Sequence, residues 1–414
     1  MSQRVFSGAK DIPRKDTAIF KTRMRTFFSG LVPLFVLAHF AHHLLTALPV
    51  PMLPFIRDDF GLSYTQAGLV VSAFSLAYGI GQLPAGWLAD RIGARIMLTI
   101  GICGVAVGGV LVGLSQTFVM MIVCLVLMGI AGGGYHPSAS PLISASVKPE
   151  NRGSALGFHL VGGSGSFFLA PLIAAGIASA WGWRGSFLGL AIPTAIFGVV
   201  FFVLLGRRIR DPVLQDDVVE EGSEQPDLPN RWRHLVTFMV LTVFTQAVAF
   251  SVVTFVPLFM VDRHGVSEGA AATYLAIIYS AGLWASPLGG YLSDRLGKVR
   301  VVLVVSLVTG PLIYLMNLAS FGVGLGALLL VIGATMYVRM PATESFIIAN
   351  TPERRRSTIL GVYYFAGMEA GGLLAPVMGY LIERFGFHTS FTAAGAAVVA
   401  VSVVCSLFLR GTRD

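Results

Sequence analysis

Twelve stretches of mostly apolar residues, each near the length needed to cross a bilayer, account for most of this chain. They fall at 29–52, 64–88, 95–115, 118–146, 154–180, 186–206, 235–260, 270–293, 299–319, 322–349, 357–382 and 388–409. A spanning helix needs about 20 such residues, because each advances it by only ~1.5 Å. Lipid offers the backbone no hydrogen bonds, so segments of this kind fold as helices. Composition adds the exclusions: only 12 % of the 414 residues are charged and the mean hydropathy is +0.76. A soluble domain carries about 25 % charged residues, and half that share cannot coat a globule of this size. A soluble enzyme, a nucleic-acid reader, a coiled coil and a disordered scaffold are excluded. The expected class is an all-α integral membrane protein with twelve transmembrane helices.

The placement of the charges orients the chain. With the N-terminus inside, 24 of the 29 Lys and Arg residues fall in cytoplasmic segments. Arg57, Arg184, Arg263 and Arg384 fall outside, and Arg339 lies within a span. Basic loops stay in the cytoplasm, so both termini are expected there and the protein in the inner (plasma) membrane. The net charge of +8 then records topology and calls for no nucleic-acid partner. Residues 1–28 read as an uncleaved cytoplasmic tail: the apolar run that follows is too long for a signal peptide and has no small-residue cleavage site. Between two six-span halves, 29–206 and 235–409, residues 207–234 form an acidic, proline-containing cytoplasmic linker, and 410–414 a short tail. Cys103, Cys124 and Cys405 lie in apolar runs and read as small core hydrophobes.

The halves repeat each other at an offset near 204 residues. Gly86-Trp87-Leu88-Ala89-Asp90-Arg91-Ile92-Gly93 recurs as Gly290-Tyr291-Leu292-Ser293-Asp294-Arg295-Leu296-Gly297. Gly61 recurs as Gly265, Pro137 as Pro341, Arg152 as Arg356, Gly157 as Gly361 and Ser186 as Ser390. Two repeats that both start inside are related by an axis along the membrane normal, and such pairs place a substrate site at their interface near the midplane. The G-x-L-x-D-R-x-G loop, present twice among twelve spans, resembles the signature of the major facilitator superfamily over essentially the whole chain. One departure is Ala94, where a basic residue is common; Arg95 follows it, and Lys298 fills the place in the second copy. The resemblance implies the major facilitator fold and a gating role for Asp90, Arg91, Asp294 and Arg295 as a latch between helix ends. An aspartate facing a helix N-terminus gives that latch a physical basis.

Ionisable groups inside spans mark function, because charge at membrane depth costs ~2.5–3.5 kcal/mol on insertion scales. Three charged residues sit there, Arg339, Glu344 and Glu369, with five histidines, His39, His42, His43, His136 and His159. His39, His42 and His43, spaced i, i+3, i+4, share one helix face. They are expected to line a cavity and contact protons or substrate. No carboxylate or cysteine clearly accompanies them, so no metal site is read here. Arg339 aligns by the repeat with Tyr135, beside His136. A guanidinium fork in a cavity suits an anion with paired oxygens. The expected substrate-binding set is therefore Arg339, His39, His42, His43, Tyr135 and His136. Glu369, followed by Gly371 and Gly372, is the first choice for proton coupling and Glu344 the second, because a desolvated carboxyl can alternate between protonated and charged forms.

No Walker A sequence occurs: Gly297-Lys298 continues into Val299. No cofactor, nucleophile–base pair or metal box is read either, so an enzyme is not expected. The first half is more narrowly similar to fosmidomycin-resistance exporters, through its histidine-bearing first span, Tyr135-His136-Pro137, and Val161-Gly162-Gly163-Ser164-Gly165 running to Ala170-Pro171. That resemblance implies proton-driven export of a small anion. The expectation is a secondary active transporter of a small organic anion, working by alternating access, coupled to protons and monomeric. Its alternatives are an uptake symporter, a multidrug/proton antiporter and a non-transporting sensor.

Overall fold

The structure, a computed structural model, describes residues 30–147, 152–208, 231–352 and 356–412. The tail 1–28 and most of the linker lie outside them. The helices are α1 (Val32–Thr46), α2 (Leu53–Phe60), α3 (Tyr64–Ile92), α4 (Ala94–Gly113), α5 (Phe118–Gly132), α6 (Tyr135–Ala145) and α7 (Arg152–Arg208) in the first half. The second half holds α8 (Arg231–Thr254), α9 (Val256–His264), α10 (Glu268–Ser280), α11 (Ala285–Leu296), α12 (Lys298–Leu315), α13 (Val323–Ala349) and α14 (Arg356–Phe408). The described residues contain no strand. Helix extends to Arg208 and resumes at Arg231, so the linker is shorter at both ends than its composition suggests.

Eight helices among the described residues are long and apolar enough to cross a membrane, nine if the bent pair Glu268–Leu283 and Ala285–Leu296 is one span. Two of them turn back on themselves. The 57 residues of α7 would reach ~85 Å if straight, against a hydrocarbon core of ~30 Å. Gly182, at φ 67°, reverses the chain, and the Ser186 hydroxyl then donates to the Ala174 carbonyl at 2.8 Å. Gly386, at φ 74°, breaks α14 in the same way.

The duplication is written into the backbone. Gly61 and Gly265 take φ 62° and 65°, and Gly93 and Gly297 take φ 91° and 92°. Each left-handed glycine closes one helix, and Ser63 and Ser267 then cap α3 and α10 by accepting a backbone N–H. At α3 the Gln66 side chain completes a capping box. Prolines after a polar or bent segment interrupt the first span between α1 and α2 and the seventh at Phe255.

The halves meet where α3 crosses α14 and α7 crosses α10. At the first crossing, Gly68 lets the backbones touch: a Cβ there would lie 2.6 Å from the Ala375 carbonyl oxygen. Polar contacts close one face of the molecule across this seam. Arg57 donates to both carboxylate oxygens of Asp262, at 2.5 and 3.0 Å, and Tyr64 donates to Asp262 at 2.6 Å. Thr65 donates to Glu383 at 2.6 Å. The duplicated Asp-Arg loops end the opposite face, since the 29 residues of α3 carry the chain ~43 Å away. Among the described residues no ion pair joins the halves at that face.

Candidate functional site

The first-half site forms around α1, whose buried face carries the three histidines against α3, α6 and α7. His39, His42 and His43 are all nearly closed to solvent, Tyr135 and His159 likewise, and His136 is half-buried. The His39 Nδ1–H donates to the His159 carbonyl at 2.7 Å. His42 Nε2 meets the Tyr78 hydroxyl at 2.9 Å, and His43 Nδ1 meets the Thr46 hydroxyl at 2.7 Å. His43 Nε2 and His136 Nε2 face each other at 3.3 Å. The Tyr135 hydroxyl lies 3.1 Å from His159 Nε2. Rings stack within the network, His39 on His159 at 4.0 Å and His42 on Tyr135 at 4.5 Å between centroids. Thus His39, His42, His43, Tyr135 and His136 do come together. His159 and Tyr78 complete the network. Their signal in the sequence is their place as polar residues within spans.

The second half repeats this geometry with different chemistry. The offset of 204 maps His42 onto Gln246, Tyr135 onto Arg339 and His159 onto Tyr363. Arg339 is buried and donates to the Gln246 side-chain oxygen, as His42 packs on Tyr135. Tyr363 sits within electrostatic reach of Arg339 and Glu344 and is hydrogen-bonded to Thr343. The repeat offset, applied to His42 and His159, would have found Gln246 and Tyr363 as partners of Arg339. Among the described residues Arg339 has no ion pair with Glu344, which stands half-buried five residues on. The Glu369 side chain lies outside the described residues. A ring relay joins the halves: His43 packs on Phe167 at 4.9 Å, and Phe167 on Tyr279 of α10 at 5.4 Å.

The residues of the two Asp-Arg loops occupy matching places. Arg91 covers the Trp87 ring at 3.9 Å and Arg295 the Tyr291 ring at 4.6 Å. Asp90 and Asp294 are exposed. On the closed face, burial alone would lower the Arg57 pKa. Its hydrogen bonds to Asp262 and Asp58 more than offset this and hold it above the usual arginine value.

The Major Facilitator Superfamily family model matches residues 35–376 and 275–414. A probable sulfoacetate transporter of Cupriavidus necator is 26 % identical over 382 residues, 86 % of this chain and 88 % of that protein. The multidrug resistance protein MdtG of Klebsiella pneumoniae is 25 % identical over 373 residues, 88 % of this chain and 90 % of that one. Among solved structures, a bacterial homologue of the lysosomal transporter Spinster, inward-facing and occupied, aligns with a TM-score of 0.73 at 18 % identity, covering 94 % and 96 % of the two chains. A POT family transporter in complex with 5-aminolevulinic acid aligns at 0.77 with 14 % identity, covering 91 % and 95 %. The fosmidomycin-type likeness of the first half has no counterpart among these. Duplicated helical halves, doubled Asp-Arg loops and a family match along nearly the whole length lead to one assignment: the chain belongs to the major facilitator superfamily, a family of multi-pass membrane transporters rather than enzymes.

Proposed function

We propose that the protein moves a small organic anion across the inner membrane by alternating access, powered by protons and working as a monomer with twelve spans and cytoplasmic termini. The observation that carries this reading is the buried Arg339 guanidinium, held by Gln246 at the depth where the other half keeps the neutral Tyr135. A buried cation with a directional fork is expensive to keep in a membrane and suits a carboxylate or sulfonate. The likeness to a sulfoacetate transporter supports the same class. The histidine network forms the first-half wall of the substrate path, with His136 its accessible member and His39, His42, His43 and Tyr135 behind it. Glu369, and secondarily Glu344, carry the coupling proton. Positive-inside orientation makes the closed Arg57 face external, which supports an inward-facing reading in which Asp90, Arg91, Asp294 and Arg295 act as latches at the opposite face.

The test is transport of labelled sulfoacetate and other small organic anions into proteoliposomes under an imposed pH gradient. Arg339→Lys keeps the charge but loses the fork, and is expected to weaken anion binding at least tenfold; unchanged affinity would overturn the anion clamp. Glu369→Gln is expected to abolish proton-driven transport and spare exchange, so unaltered proton dependence would remove that residue from the mechanism. The MdtG likeness favours a second reading, multidrug/proton antiport with export as its direction. A thermal-shift screen separates the two: stabilisation by anions supports the first, and by amphipathic cations the second.

A further inference from the structure

The histidine network contains an arrangement that substrate contact does not explain. His39, His43 and His136 each direct one ring nitrogen into a common space, the three atoms lying within 4.8 Å of one another. His43 Nε2 and His136 Nε2 are 3.3 Å apart. Two nitrogens bound to a tetrahedral metal at about 2.0–2.1 Å stand about 3.3–3.4 Å apart, so this pair already has ligand spacing. The tautomers suit the same use. A carbonyl oxygen only accepts, so the 2.7 Å bond from His39 Nδ1 to the His159 carbonyl puts the proton on Nδ1. The lone pair is left on Nε2, which is buried and has no hydrogen-bond partner among the described residues. His43 Nδ1 is bonded to the Thr46 hydroxyl, which can accept the Nδ1 proton and leave Nε2 to a metal. A metal-binding histidine characteristically donates its other N–H to such a partner, which fixes ring and tautomer together.

We propose that His39, His43 and His136 bind one divalent first-row transition-metal ion of the Zn2+ class. Three imidazoles and no oxygen ligand select Zn2+, Co2+, Ni2+ or Cu2+ over Mg2+ and Ca2+. The fourth position is left to water or an anion. The reading from spacing alone grouped His39, His42 and His43, which looked incomplete as a site. In the fold, His42 turns to Tyr78 and the third ligand comes from α6. The site shares His39, His43 and His136 with the proposed substrate path, and its test reads metal binding with no transported compound present.

The experiment uses full-length, tag-free, chelator-treated protein in nanodiscs, titrated with CoCl2 or ZnCl2. One Co2+ per chain with the intense visible absorption of a tetrahedral centre is the expected result. His39→Gln and His136→Gln are expected to weaken binding at least a hundredfold, and His42→Gln to leave stoichiometry and spectrum unchanged. Thr46→Val, which removes only the partner of His43 Nδ1, is expected to cost roughly tenfold. Should a histidine variant not fold, zinc X-ray absorption of the unaltered protein decides: three nitrogens at about 2.0–2.1 Å support the site. Absence of stoichiometric binding, an oxygen-only shell, or wild-type affinity in His136→Gln would each overturn it.

Discussion

Asp262→Asn removes the charge that bolts the Arg57 face shut while preserving the shape of the side chain. Its effect can be sized from the contacts. Asp262 accepts two N–H bonds from Arg57 and one O–H bond from Tyr64, all from the other half. A buried hydrogen bond to a charged group contributes ~1.5–3 kcal/mol, and an exposed ion pair only ~0.2–1 kcal/mol. With side chains 15 % and 26 % exposed, the pair sits between these limits, at about 1.5 kcal/mol. Arg57 keeps its 2.9 Å bond to Asp58, so the substitution weakens the inter-half contact to neutral-acceptor hydrogen bonds without orphaning the guanidinium. At ~1.4 kcal/mol per decade, the ratio of opened to closed Arg57 face should rise about tenfold. Pulsed electron–electron distances between spin labels on α2 and α9 read that ratio. Asp59→Asn is the control, because Asp59 pairs at 2.6 Å with Arg184 inside its own half. An unchanged distance distribution, or an equal shift in the control, would refute the assignment of this pair as the gate.

Three further substitutions and one control test the packing. Gly68→Val places side-chain atoms against the Ala375 carbonyl, so the same labels should report a separated face, at an overpacking cost of ~1–3 kcal/mol. Tyr135→Phe removes the hydroxyl beside His159 and should lower resistance to denaturant by ~1 kcal/mol; no loss would mean the bond contributes nothing. Gly182→Ala forces a side chain into φ 67° and should destabilise by ~1–2 kcal/mol, whereas Gly176→Ala, in helix with open space around it, should be neutral or slightly stabilising in the same thermal assay.

Helices, repeat and polar membrane residues were legible because lipid makes each of them stand out: an apolar run, a glycine corner, a lone arginine. Gly61 and Gly265 stood out as a repeat match, and in the structure each ends a helix. Partnership was harder to read. Spacing put His39, His42 and His43 on one face, but which ring meets which neighbour depends on how α3, α6 and α7 pack, and that packing is nonlocal. The breaks at Phe255 and Trp284 were hidden for a related reason: apolar residues run through both, so hydropathy reads continuous helix. The partners of Arg339 were recoverable, since the offset that pairs it with Tyr135 also pairs Gln246 with His42.

The bolt between Arg57 and Asp262 has an electrical consequence. It joins one positive and one negative group, each fixed to a different half. When the face opens sideways, the two charges separate in the membrane plane, and the gate itself carries no charge along the membrane normal. A transmembrane potential does ~2.3 kcal/mol of work per elementary charge per 100 mV, and a neutral bolt presents it with nothing to pull. In the proposed mechanism, sensitivity to membrane voltage then falls to the cargo, the coupling proton and the charge of Arg339.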